Sequence, residues 1–433
     1  MCNFTRGGKE VSKGLRKLIV VMVLCVVLTA GVFAQIQLRF FYPVQVAGPL
    51  SLLIDEMVAE FNTQHPDIKV EPIYSGNYDQ TLARALTAAR GGNPPEVVVL
   101  LAIDLFTLLD LDLIEDVDQF MTGEYEDFTA SFYDGFLENS ILDGVTWGIP
   151  FQRSTPIFYY NKDHFREVGL DPDKPPTTWD ELLEAARLLT IRDSRGNVTR
   201  WGFADITSDT WTIQALILQA GGEYANEAGT EAYFNTPPVK EALEFWNRLA
   251  NIERLMPRHR AYGAASQDFV AGALSMMFNS TGSLSFVRTS ATFDFGVAPL
   301  PCNELCAVPT GGGNLYILKG LPEANKQAAW KFITWMTNPE NAAKWSIGTG
   351  YIPVREDAFE TASLKQYAED FPAILVARDQ LAVARREMAF HNNSQIREVL
   401  LGYVQDMLDE RLSIDNGLRQ LQNEVDMILA PFK

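Results

Sequence analysis

The chain has little of what most catalytic and metal-binding proteins depend on. It holds four cysteines, and two of them, Cys2 and Cys25, lie within the first 25 residues. Its four histidines, His65, His164, His259 and His391, are scattered without metal-ligand spacing, which argues against a zinc or histidine-based site. No P-loop and no Gly-x-Ser-x-Gly nucleophile motif occurs. Basic residues are outnumbered, 36 Lys and Arg against 55 Asp and Glu, a formal charge of −19. That balance excludes a nucleic-acid binder, which needs a basic face. Acidic pairs such as Glu181/Glu184 and Asp409/Glu410 could be set beside a glycosidase's two carboxylates, but with 55 acids such pairs arise anywhere. Neither a cofactor nor a metal is expected, and no catalytic residue stands out.

Long apolar runs are equally scarce. The one that exists, Leu18 to Val32, follows Arg6, Lys9, Lys13, Arg16 and Lys17 and ends in Val32-Phe33-Ala34, an A-x-A-like cleavage site. Residues 1–34 therefore read as an export leader, with the mature chain starting at Gln35. A permanent anchor is the alternative, and the run is short for one. Removing five basic groups and one acid with the leader takes the charge to about −23. Of the remaining cysteines, Cys302 and Cys306 flank Asn303-Glu304-Leu305; a small disulfide loop and two free thiols both fit.

What is present is an α/β pattern of two halves. At 433 residues the chain is too long for one compact core. Gln37–Tyr42, Ile68–Ile73 and Glu96–Leu101 read as strands separated by helices over 51–61 and 80–90, which predicts a parallel sheet covered by helices. The stretch Trp147 to Lys162 reads as two strands interrupted by polar residues, with Pro150 and Pro156 at the break. Proline cannot donate to a ladder, so this segment leaves one sheet and enters another. Further crossings are expected at Asn279–Ser283 and at Pro339, and Phe293–Ala298 and Asn314–Leu318 read as strands returning to the first lobe. The division predicted is 35–151 with 280–336 for one lobe and 152–279 with 337–433 for the other. Such a topology suits hinge closure around a ligand.

Ser75-Gly76-Asn77-Tyr78-Asp79-Gln80, Ser154-Thr155-Pro156 with Tyr160-Asn161-Lys162, Thr178-Trp179, Thr349-Gly350-Tyr351-Ile352-Pro353 and Gln395-Ile396-Arg397 resemble the extracellular solute-binding family 1 of ABC importers, in its glycerol-phosphate branch. The resemblance runs from about residue 37 to 428. It implies a periplasmic-binding-protein-like fold of type II, with two discontinuous α/β lobes. It also implies a periplasmic, monomeric receptor that hands a small ligand to a membrane permease served by a separate ATPase chain. Glycerol 3-phosphate, a glycerophosphodiester or a related phosphorylated polyol is the implied ligand, with a sugar as the alternative.

Carried across by position, the family's phosphate contacts fall on Ser280, Gly312, Tyr351 and Arg397, and those of the cleft and glycerol end on Tyr78, Ser154 and Trp179. The residue types suit an anion, because Arg offers a planar fork and a glycine-rich turn can bring backbone N–H groups close. Singly, each has a plainer reading: a turn for Gly311-Gly312-Gly313, a surface helix for Arg397, a staple of helix to lobe for Trp179. Two positions depart from the pattern. A family carboxylate for the glycerol hydroxyls falls on Ala102, with Asp104 the nearest acid, and a small polar residue is replaced by Arg153. Arg153 is therefore expected beside the cleft, accepting a second anionic group, or else pairing with a surface carboxylate.

Overall fold

The protein is described by a computed structural model covering Met1 and residues 35–433. Residues 2–34, which hold the expected leader, lie outside the described residues. Among the described residues no helix is long and apolar enough to cross a membrane.

The first sheet has five strands: β1 (Ile36–Tyr42), β2 (Ile68–Tyr74), β3 (Val97–Leu101), β4 (Ile149–Ser154) and, from late in the chain, one at Gly311–Ile317. The second has three: β5 (Pro156–Asn161), β6 (Met276–Ser280) and β7 (Phe295–Ala298). With the late strand named β8, the orders are β2-β1-β3-β8-β4 and β6-β5-β7. Strand β1 pairs in parallel with β2 and β3, as the alternating strands and helices predict, whereas β8 runs antiparallel to β3 and β4. The all-apolar Val-Val-Val-Leu-Leu of β3 is buried throughout, as a strand covered on both faces requires. Helix α1 (Leu50–Gln64) buries Leu50, Ile54, Met57, Val58 and Phe61, one helical stripe. Helix α2 (Tyr78–Arg90) starts at a capping box, in which the Asn77 side chain accepts from the Gln80 backbone and Gln80 reaches back.

Only Thr155 separates β4 from β5. Pro156 opens β5, where its missing N–H costs no internal ladder bond. Along β5 the side chains alternate: Ile157 and Tyr159 join the core shared with the first sheet, Phe158 and Tyr160 the core of the second. Gln380 ties this junction together. Its Nε2 donates to Thr155 Oγ1 (3.0 Å) and Pro156 O (2.7 Å), and its Oε1 accepts from Leu300 N (2.9 Å).

Two expectations are corrected here. Phe295–Ala298 does not return to the first sheet; as β7 it lies antiparallel to β5, with Val297 opposite Tyr159. Nor is there a crossing at Pro339. With α3 (Trp179–Leu189), α4 (Trp211–Gln219) and α5 (Tyr262–Val270) in the second half, the helix that Pro339 opens, α6 (Pro339–Thr349), packs on α1. Its Trp345 stacks on Phe151 (4.9 Å) and near Tyr351 (5.9 Å), which holds the chain on the first sheet as far as Val354. The apolar faces of α7 (Asn393–Leu408) and α8 (Ile414–Leu429) enter the second core through Ile396, Leu400, Leu421 and Val425. The passage comes between Val354 and Phe371, whose ring lies 6.3 Å from that of Phe295 on β7. The sulfurs of Cys302 and Cys306 are joined as a disulfide, the first of the two arrangements left open by the sequence.

Candidate functional site

Between the two halves lies a cavity lined by residues of both. One wall comes from the first sheet: Gln45 and Val46 ahead of α1, Tyr78 and Asp79 in the first turn of α2, Leu101 at the end of β3, and Gly312 of β8. The other carries Asp209, Trp211, Tyr262, Glu387 and Arg397. Ser154 and Ser280, the last residues of β4 and β6, close it at the junction.

Local sequence explains how these side chains are held. The Asn77 cap fixes the start of α2, so Tyr78 points inward, where its hydroxyl donates to Gln152 Oε1 at 2.9 Å. Tyr351 follows the left-handed Gly350 that ends α6, and Ile352 N then donates to Arg153 O at 3.0 Å. Tyr351 thus stands on the first-sheet side. Burial pushes the hydroxyls of Tyr78 and Tyr351 well above the usual phenol range, and both remain neutral donors. Ser280 Oγ accepts from Gly282 N at 3.1 Å.

The glycine run is not a plain turn, because it opens β8. At Gly312 φ is +98°, and a Cβ there would lie 1.8 Å from Gln152 O. At Gly311 a Cβ would enter the Trp211 indole at 2.4 Å. Absence of side chains lets Trp211 lie against the strand, where its Nε1 donates to Thr310 O at 2.9 Å. Trp211 and Tyr262 stand with ring centroids 6.3 Å apart.

Charge is concentrated in a few groups. Arg397, on α7, places Nη1 3.2 Å from Asp79 Oδ1 and Nη2 3.6 Å from Asp209 Oδ1. Burial alone would lower its pKa, but Asp209, Asp79, Asp104 and Glu387 outweigh that and hold it above the usual guanidinium value. Glu387 is 5% exposed. Its backbone is clamped by Asn139, which accepts from Glu387 N (3.2 Å) and donates to Glu387 O (3.3 Å), while Oε2 has no hydrogen-bond partner among the described residues. Burial pushes this carboxyl up to about 8, against the lowering influence of Arg153 and Arg397.

Of the residues the sequence suggested, Tyr78, Ser154, Ser280, Gly312, Tyr351 and Arg397 line this one cavity. Trp179 does not. It begins α3 with its ring turned into the second core, stacked on Phe245 at 4.4 Å, and its Nε1 donates to Gln219 Oε1 at 2.7 Å. The stapling role is the one its surroundings fit. Arg153 is not at the cleft wall either. Side chains alternate along β4, so with Ser154 toward the cavity Arg153 points to the opposite face, where it is fully buried. There it reaches Asn314 Oδ1 (3.4 Å) and Thr310 Oγ1 (3.3 Å) and lies over the Phe136 ring, so a surface carboxylate is not its partner. Asp104, 2% exposed, accepts from Asn393 Nδ2 at 3.1 Å and is not on the cavity wall. Burial raises it to about 6.

Asp79, Asp209, Trp211, Tyr262 and Glu387 were not singled out from the sequence. Asp79 lay inside a quoted motif, and Trp211 opens an apolar helix much as Trp179 does. Tyr262 and Glu387 follow loops with no distinguishing pattern.

A family model described as bacterial extracellular solute-binding protein matches residues 56–373. The chain is 28% identical over 381 residues to the sn-glycerol-3-phosphate-binding periplasmic protein UgpB of Yersinia pestis, covering 86% of each chain. Among solved structures it is similar to UgpB from Mycobacterium tuberculosis in complex with glycerophosphocholine. That match has a TM-score of 0.82 and 28% identity, covering 90% of this chain and 98% of that one. A substrate-binding protein from Listeria monocytogenes in complex with cycloalternan matches with a TM-score of 0.81 over 92% and 99% of the two chains. At 20% identity it speaks for the fold alone.

Proposed function

The chain belongs to the bacterial extracellular solute-binding proteins, the receptors of ABC importers, and we propose that its solute is a phosphorylated polyol, glycerol 3-phosphate or a glycerophosphodiester. Its fold is that of the type II periplasmic binding proteins. The observation that carries the ligand reading is the ring of Tyr78, Ser154, Ser280, Gly312 and Tyr351 around a cavity whose wall holds the cation Arg397. The guanidinium supplies a directed fork for phosphate oxygens, and the neutral hydroxyls add donors without charge.

In this reading, ligand groups bridge Tyr78 and Tyr351 on one wall and Arg397 on the other, favouring the closed form by their differential affinity for it. Thr155 and Gln380 mark the hinge. The two lobes are the first sheet with α1, α2 and α6, and the second sheet with α3, α4, α7 and α8. The receptor works in the periplasm after losing residues 1–34, as a monomer, and delivers ligand to a permease driven by a separate ATPase. A sugar is the second reading, favoured by the aromatic rings of Trp211 and Tyr262 and by three acids on the wall.

Thermal denaturation of residues 35–433 with glycerol 3-phosphate, glycerophosphocholine, inorganic phosphate and maltose separates the two, since a ligand of the native state raises the melting temperature. Stabilisation by the phosphorylated glycerols, lost in Arg397→Ala, is expected. Stabilisation by maltose alone would install the sugar reading, and turnover of any ligand would overturn both.

A further inference from the structure

The acids on the cavity wall are not equivalent. Asp79 and Asp209 both face Arg397, at 3.2 and 3.6 Å. Among the described residues Glu387 has no such neighbour within ion-pair distance, and its Oε2 lacks any hydrogen-bond partner although the residue is 5% exposed. Leaving a buried polar atom unmatched costs stability that a ligand group can recover. Its backbone is fixed on both sides by Asn139, so the side chain is presented from a rigid point.

The sum of charges points the same way. Asp79 and Asp209 outnumber Arg397 on the wall, and Glu387 adds a further negative charge once a cation beside it displaces its proton. A phosphomonoester, itself close to doubly negative at neutral pH, is poorly matched to that field. A phosphodiester carries one negative charge, and a cationic headgroup would cancel it. Trp211 and Tyr262 line the same cavity and offer π faces to a cation. Glu387 lies near enough to Tyr262 and Tyr78 to raise the pKa of both hydroxyls, which places acid and aromatics in one neighbourhood.

We propose that Glu387, Trp211 and Tyr262 form a subsite for the ammonium headgroup of a glycerophosphodiester, with Arg397 taking the phosphodiester. This rests on the phosphate reading given above. Asp104, committed to Asn393, takes no part in it. The charged groups around Glu387 are Arg153 on β4, Arg397 on α7, and Asp209 and Asp104. Because burial keeps Glu387 partly protonated below about pH 8, seating a cation beside it expels a proton to solvent.

Calorimetric titration of wild type and Glu387→Gln with glycerophosphocholine and with glycerol 3-phosphate tests this. Removing the negative charge should weaken glycerophosphocholine tenfold or more and tighten glycerol 3-phosphate, opposite signs that misfolding cannot produce. Glu387→Asp should retain the wild-type order of preference. In buffers of different ionisation enthalpy at pH 7, wild type should release a proton on binding glycerophosphocholine and Glu387→Gln should not. Equal weakening of both ligands, or none, would overturn the subsite. Failure of wild type to bind either ligand would instead remove the phosphate reading, and the subsite with it.

Discussion

Arg397 Nη1 lies 3.2 Å from Asp79 Oδ1, an ion pair that joins α7 to the first turn of α2 across the cleft. The Asp79 side chain is 65% exposed, so the pair is worth at most about 1 kcal/mol. An arriving phosphate therefore competes with Asp79 for the guanidinium. Asp79→Asn should tighten glycerophosphocholine about two- to fivefold at low salt, with the gain shrinking in 0.5 M salt as screening weakens the lost repulsion. Weaker binding in this variant would mean that Asp79 positions Arg397 and does not compete with the ligand.

Gly312 is the least replaceable residue of the cleft. A side chain there meets both a positive φ and the Gln152 carbonyl. Gly312→Ala should cost about 2–4 kcal/mol, displace β8 from β4 and abolish ligand binding. Urea denaturation measures the first effect and titration the last. Loss of binding without loss of stability would point to a direct clash with the ligand.

Much of the fold was legible because it rests on periodicity. The stripe of α1 and the apolar β3 are local signals, and the Pro150–Pro156 break brackets the junction, although the lobe boundary expected between residues 151 and 152 falls inside β4. What sequence could not give was which sheet a short strand would join: Phe295–Ala298 is four residues whose partner, β5, lies over 130 residues away. The Pro339 crossing failed for a similar reason, since proline is equally suited to the first turn of a helix that stays. At the site, the motif residues converged, whereas Trp179 and Arg153 were misplaced by orientation. A helix start and a strand position do not say which way a side chain turns until the packing face is known. Glu387 sits in a short loop segment, where position is set by contacts such as Asn139 that are remote in the chain.

The Cys302–Cys306 bridge encloses three residues and lies outside the cavity wall. Closing so short a loop restricts the unfolded chain by about 2 kcal/mol in the chain-entropy account. The Cys302→Ser/Cys306→Ser double variant should lose about that much stability to urea and keep the wild-type affinity for glycerophosphocholine. A large loss of affinity would show that the loop, whose Leu305 N donates to Gln219 O, communicates with the cleft through α4.

The same carboxyl that we assign to the headgroup should also govern the stability of the empty protein near neutral pH. Glu387 holds its proton up to about pH 8 in the fold, against an ordinary value of 4.5. The folded state thus binds more protons than the unfolded one across this interval, and stability falls as pH rises through it. Lower in the range the signs are mixed. Asp104 and Asp205, raised by burial to about 6, also lose stability with rising pH, but His164, lowered by burial to about 4, gains it up to its unfolded value of 6.5. From about pH 6.5 to 8 the Glu387 contribution stands clear of these three. Unfolding free energies from urea denaturation should fall over that interval by an amount on the order of 1–2 kcal/mol, and Glu387→Gln should flatten the slope. Saturating glycerophosphocholine should flatten it as well, because a seated cation fixes the carboxyl in its ionised form. A slope that survives the substitution would assign the titration to another group and separate the stability of the empty cleft from its headgroup acid.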